Sequence, residues 1–86
     1  MDIVGTIYEL LRQRAPDASI CPSDVARALG HDEAGWRALM QPIRDEAAAL
    51  ARSHRIVITQ GPATIDPADV DRGAIRLRRG PAFPEG

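Results

Sequence analysis

At Arg55 the chain changes its hydrophobic period, and that switch bounds the folds open to it. Ahead of Arg55 the apolar residues recur at helical spacing. Behind it come a β-branched run and a stretch alternating apolar and charged residues, which read as strands. With 86 residues there is room for one core, and none for a cofactor domain beside a substrate domain. Hydrophobic residues make up 44% of the chain, but fourteen of them are alanine. That supply fills a compact helical core and not a large sandwich or a deep pocket.

Ile3, Ile7, Leu10 and Leu11 mark a first helix to Arg14, with Asp2 placed to cap it. Ala15-Pro16-Asp17-Ala18-Ser19 breaks it, and Ile20 sits in a short extended piece. Pro22 at a first helical position and Asp24 in the first turn open a second helix, which Gly30 ends. A third helix is expected over roughly Glu33 to Ser53, capped by Asp32 and either kinked or broken at Pro42. Ile56 to Gln60 reads as a strand, Gly61-Pro62 as a turn, and Ala63 to Ile65 as the returning strand. Asp66 to Val70 reads as a capped single turn or a loop, and Ala74 to Arg78 as a half-buried strand. Three helices, an extended piece after the first, and a terminal hairpin are the element order of an α+β winged helix-turn-helix. One domain is expected over residues 1–79, with a disordered tail over 80–86.

Eleven arginines, no lysine and twelve acids bring the net charge to −1. Composition bias accounts for the arginine count, so only the positions are informative. At 100° per residue, Trp36, Leu39, Met40, Ile43, Ala47, Leu50 and His54 gather on one face of the third helix. Arg37, Gln41, Arg44, Ala48, Arg52 and Arg55 gather on a stripe beside it. In a winged helix this helix enters the DNA major groove. Arg37, Gln41 and Arg44 are then the base-reading candidates, since Arg pairs with guanine and Gln with adenine. Arg52 and Arg55, with Arg76 and Arg78 of the last strand, are the phosphate candidates. The competing reading is a solvated face of paired charges. It is favoured by the near-zero net charge and by Asp45, Asp66, Asp69 and Asp71 nearby.

The run Cys21-Pro22-Ser23-Asp24-Val25-Ala26-Arg27 resembles a bacterial family, the domain of unknown function 3253 family. Trp36-Arg37, Leu39-Met40, Ile43-Arg44, the stretch Ile56 to Gly61 and Ile75-Arg76-Leu77 extend the resemblance over roughly residues 3–79. It implies a winged-helix-like fold and no defined activity. Where the family has Gly-Pro ahead of the late Ile-Arg-Leu, this chain has Gly73-Ala74.

Cys21 is the residue most open to chemistry, because a helix N-terminus and a nearby arginine favour a thiolate. Against that stands its reading as a small packing residue at the helix start. No phosphate loop, paired-cysteine spacing or His-x-x-x-His pair is present, and Cys21, His31 and Asp32 do not have metal-ligand spacing. Neither enzymatic activity, a cofactor nor a metal is expected. The candidate roles are DNA binding or regulation, protein contact through the Trp36 rim or the Pro/Phe tail, and redox sensing at Cys21. The candidate partners are duplex DNA or a protein, with the chain a monomer or weak homodimer. With no apolar run near the roughly 18 residues that span a bilayer and no basic flank at Met1, a cytoplasmic protein away from membranes is expected.

Overall fold

The computed structural model describes residues 2–30 and 32–84. Helix α1 (Ile3–Arg12) is capped by Asp2, whose Oδ1 accepts from the Gly5 N–H at 2.8 Å. Its Ile7 and Leu11 point into the core. The two-residue strand β1 (Ser19–Ile20) leads into α2 (Pro22–Leu29), where Asp24 Oδ2 accepts from the Cys21 N–H at 2.9 Å. That bond satisfies one of the donors that a helix start leaves open.

Helix α3 (Glu33–Arg52) is capped by Asp32 and runs through Pro42 as one element. It is not broken there. Pro42 lies on the exposed side, so its missing N–H and its ring fall away from the packing face. Ile43, Ala47 and Leu50 on the other side are buried and carry the helix across. His54 departs from the expected apolar face. It is exposed beyond the helix end, at φ 63°, and closes α3 in the left-handed position that glycine commonly fills.

Four antiparallel strands follow the order β1-β4-β2-β3, with β2 at Ile56–Gln60, β3 at Ala63–Thr64 and β4 at Arg76–Arg79. The expected hairpin is therefore part of a larger sheet, because β1 pairs with the far edge of β4. Ile20 lies opposite Leu77, and Leu77 opposite Ile58. All three are essentially fully buried and form the sheet's contribution to the core. Asp66 caps the single 3-10 turn Pro67–Asp69 through the Ala68 N–H.

The disorder expected after residue 79 does not hold for residues 80–84; Glu85 and Gly86 lie outside the described residues. Phe83 is 6% exposed and packs edge-on against Tyr8, with ring centroids 5.5 Å apart. Gly80 N–H donates to Arg55 O and Ala82 N–H to His54 O. A Cβ at Gly80 would lie 2.4 Å from His54 O, so only glycine admits this approach. The turn-forming residues route the segment back onto α1, where one aromatic ring gains burial.

Candidate functional site

The middle of the stripe on α3 is engaged by the chain itself. Arg44 Nη1 donates to Val70 O at 2.6 Å and to Gly73 O at 3.2 Å. Gln41 Nε2 donates to Asp45 at 2.9 Å and to Asp71 at 3.0 Å. From the tip of β2, Gln60 Nε2 reaches Arg72 O and Ala74 O. Residues 70–74 form no regular pairing of their own, so their carbonyls take these amide and guanidinium donors instead. Buried Val70 and Ile75 pin the ends of the segment. Ala48, expected on the polar stripe, is buried at 4% exposure, which a folding-back segment imposes and helical periodicity does not reveal.

The outward face of α3 is small and acidic rather than cationic. Ala34, Ala38, Pro42, Asp45, Glu46 and Ala49 are exposed along it, and its only cation is Arg52 in the last turn. Arg37 pairs with Glu33 at 2.7 Å, with about two-thirds of each side chain exposed, a geometry worth under about 1 kcal/mol. Arg52 and Arg55 are exposed at the opposite end, where Arg55 Nη1 lies 3.5 Å from the Tyr8 hydroxyl.

The arginines of β4 act as ties to the first third of the chain. Arg76 donates through Nε to Ser19 Oγ at 2.9 Å, through Nη2 to Ser19 O at 3.1 Å, and through Nη1 to Cys21 Sγ at 3.0 Å. Arg78 donates to Asp17 O. Arg79 Nη2 donates to Leu11 O at 2.9 Å and Arg14 O at 3.1 Å, ending α1, with its guanidinium 4.9 Å from the Phe83 ring. Planar guanidinium forks suit this task, since one side chain can hold two or three oxygens in fixed directions. Of the seven nucleic-acid candidates, Gln41 and Arg44 meet on the 70–74 segment and Arg76 and Arg78 hold the β1 side. Arg37 and the Arg52–Arg55 pair stand at opposite ends of α3.

Cys21 is half-buried beside Arg76. His31 lies outside the described residues, and among those described no three potential ligands gather at a metal-binding spacing. An apolar cleft of about 190 Å³ lies between the end of α3 and β2, lined by Ala51, His54, Ile58, Ile65 and Pro67 among others. It is smaller than the roughly 300 Å³ at which small-molecule pockets begin.

One cluster crosses elements that periodicity treats separately. Trp36 of α3 is half-buried, with the guanidinium of Arg27 from α2 5.0 Å from its ring centroid and that of Arg37 at 5.2 Å. A Cβ on Gly30 would fall 2.8 Å from the Trp36 backbone nitrogen. Gly30 is thus what lets α2 end close enough to α3 for Arg27 to reach the indole. The rim around Trp36 was legible in the sequence; the contribution of Arg27 was not.

The family described as "Protein of unknown function (DUF3253)" matches residues 2–80, nearly the whole chain. The chain belongs to this family. No curated protein matches it. Among the described residues no helix is long and apolar enough to cross a membrane.

Proposed function

We propose that this member of the DUF3253 family is a winged-helix adaptor that contacts a protein partner through the Trp36 surface. Support for the winged helix comes from the order α1-β1-α2-α3-β2-β3-β4 with β1 against β4 and β4 against β2. The observation that carries the contact surface is the half-exposed Trp36 with Arg27 and Arg37 against its ring. Tryptophan and arginine dominate the energetics of protein interfaces, because a large amphipathic ring and a planar cation bury area while keeping polar contacts available. The other protein-contact candidate, the Pro/Phe tail, has Phe83 buried against Tyr8 and is not open to a partner.

The test places a photo-crosslinking residue at position 37, beside Trp36, in cells. The captured protein is then purified and its binding to the chain measured by isothermal titration calorimetry, a readout that does not depend on Trp36, the one tryptophan of the chain. Trp36→Ala and Arg27→Ala are expected to weaken that binding at least tenfold with folding retained. A purified partner that binds both variants as it binds the parent chain overturns the assignment.

Groove reading of duplex DNA is the second reading, favoured by the element order and by the exposure of Arg37. It assigns Arg37, Gln41 and Arg44 to bases and Arg76 and Arg78 to phosphates. Asp45 and Asp71, both beside Gln41, would then face the phosphate backbone, which opposes it. Sequence-selective binding to a duplex library, lost in Arg37→Ala, would move the weight to this reading.

A further inference from the structure

The fold gathers one pole that the sequence distributes over three segments. The C-terminal ends of α1 and α3 and the end of β4 come together where Arg79 bonds Leu11 O and Arg14 O, lies opposite Ile56, and precedes Gly80, whose N–H donates to Arg55 O. Six of the eleven arginines belong to the segment ends that meet here: Arg12, Arg14, Arg52, Arg55, Arg78 and Arg79. Arg78 and Arg79 are half-buried and hold the segments together. The other four are exposed. Arg12 gives one nitrogen to Pro84 O at 3.2 Å, Arg14 stands 3.9 Å from Asp24, and Arg55 makes the 3.5 Å contact to Tyr8. Glu9 and Asp17 are the other described acids in these segments.

The rest of the molecule carries the opposite excess. Asp2, Asp32, Glu33, Asp45, Glu46, Asp66, Asp69 and Asp71 outnumber Arg27, Arg37, Arg44, Arg72 and Arg76 there. Part of this separation is helix capping, since acids suit helix starts and cations helix ends. Capping does not require four exposed guanidiniums from two helices to share one pole. A chain of net charge −1 therefore has a face that attracts polyanions and a body that repels them.

We infer that this pole grips the phosphate backbone of a nucleic acid, through Arg12, Arg14, Arg52 and Arg55 with the Tyr8 hydroxyl, and without reading bases. The argument is charge complementarity: exposed guanidiniums and a phenol are the donors that phosphate oxygens take, and Gln41 and Arg44, the nearest base-reading candidates on α3, are already bonded to the 70–74 segment. The surface is independent of the Trp36 contact, since Trp36 and Arg52 lie sixteen residues apart on α3, about 24 Å along the axis. With both surfaces in use, the domain would bridge a protein at one end of α3 and a nucleic acid at the other.

Anisotropy of a labelled short DNA duplex, titrated with the full chain at several salt concentrations, tests this. Four phosphate contacts predict a log–log salt slope of about −3 to −4, or about a hundredfold loss between 50 and 200 mM salt. The double variant Arg52→Gln/Arg55→Gln should reduce the slope by about 2. Trp36→Ala should leave DNA binding unchanged, which separates failure here from failure of the protein-contact reading. Absence of binding at low salt overturns the inference, as does an unchanged slope in a double variant with the parent circular dichroism and melting temperature. Equal affinity for polyglutamate of matched charge would assign the pole to an acidic protein and overturn the nucleic-acid choice. Equal affinity for duplexes of different sequence supports it.

Discussion

Near each end of α3 aromatic surface meets two arginines, and the fold treats the two ends oppositely. At the C-terminal end, Tyr8 and Phe83 meet edge-on, Arg12 and Arg79 lie over the rings, and Phe83 is buried. At the N-terminal end, Trp36 has Arg27 and Arg37 over it and stays half-open, although it is the larger ring. Both clusters place guanidinium beside aromatic surface, an arrangement worth roughly 0.5–1 kcal/mol when exposed and more when desolvated. What separates them is whether another segment closes over the ring. Residues 80–84 return to cover Tyr8; over Trp36 lie only the side chains of Arg27 and Arg37 among the described contacts, and the ring stays partly exposed. The same residue chemistry serves as a clasp in one place and as a candidate contact in the other.

The sharpest way to break this comparison is to truncate both rings. Phe83→Ala should cost about 3 kcal/mol, as deletion of a buried aromatic does, and lower the melting temperature by more than 10 °C for a domain of this size. Trp36→Ala should cost less than half as much by the same denaturation experiment. Equal losses would mean that Trp36 is a core residue and not an open one. Arg44→Ala comes next: losing the bonds to Val70 O and Gly73 O should cost about 1–2 kcal/mol. Amide exchange at residues 70–75 should accelerate in that variant, while protection in α1 changes little. His54→Gly should go the other way, raising stability by roughly 0.5–1 kcal/mol in urea titrations, because glycine accepts φ 63° without strain. The smallest effect belongs to the exposed pair: Glu33→Gln should shift stability by no more than about 0.5 kcal/mol, and high salt should erase it.

Local chemistry made much of the framework legible. Asp2, Asp32 and Asp66 cap where side-chain carboxylates ahead of helical runs are expected to cap, and Pro22 opens α2. The change of period at Arg55 marks where helix gives way to sheet. The site was legible only in outline. Helical periodicity collects Gln41, Arg44 and Ala48 on one stripe, but it cannot show that residues 66–75 fold back over that stripe. Nor could it show that Arg76 would hold Ser19 and Cys21 across the sheet. Those partners lie 26 to 57 residues apart, beyond any local pattern.

By itself the sequence determined which segments become helix and strand, because caps, breakers and apolar spacing act within a few residues. It also determined that the charges nearly cancel. Where each charge ends up was decided by tertiary structure alone. Sheet pairing and the returning C-terminal segment set which guanidiniums meet a carbonyl and which meet solvent. A guanidinium that meets backbone oxygens within the fold becomes a tie, as Arg44, Arg76 and Arg79 do. One left at the surface, as at Arg52 and Arg55, retains donors for a partner.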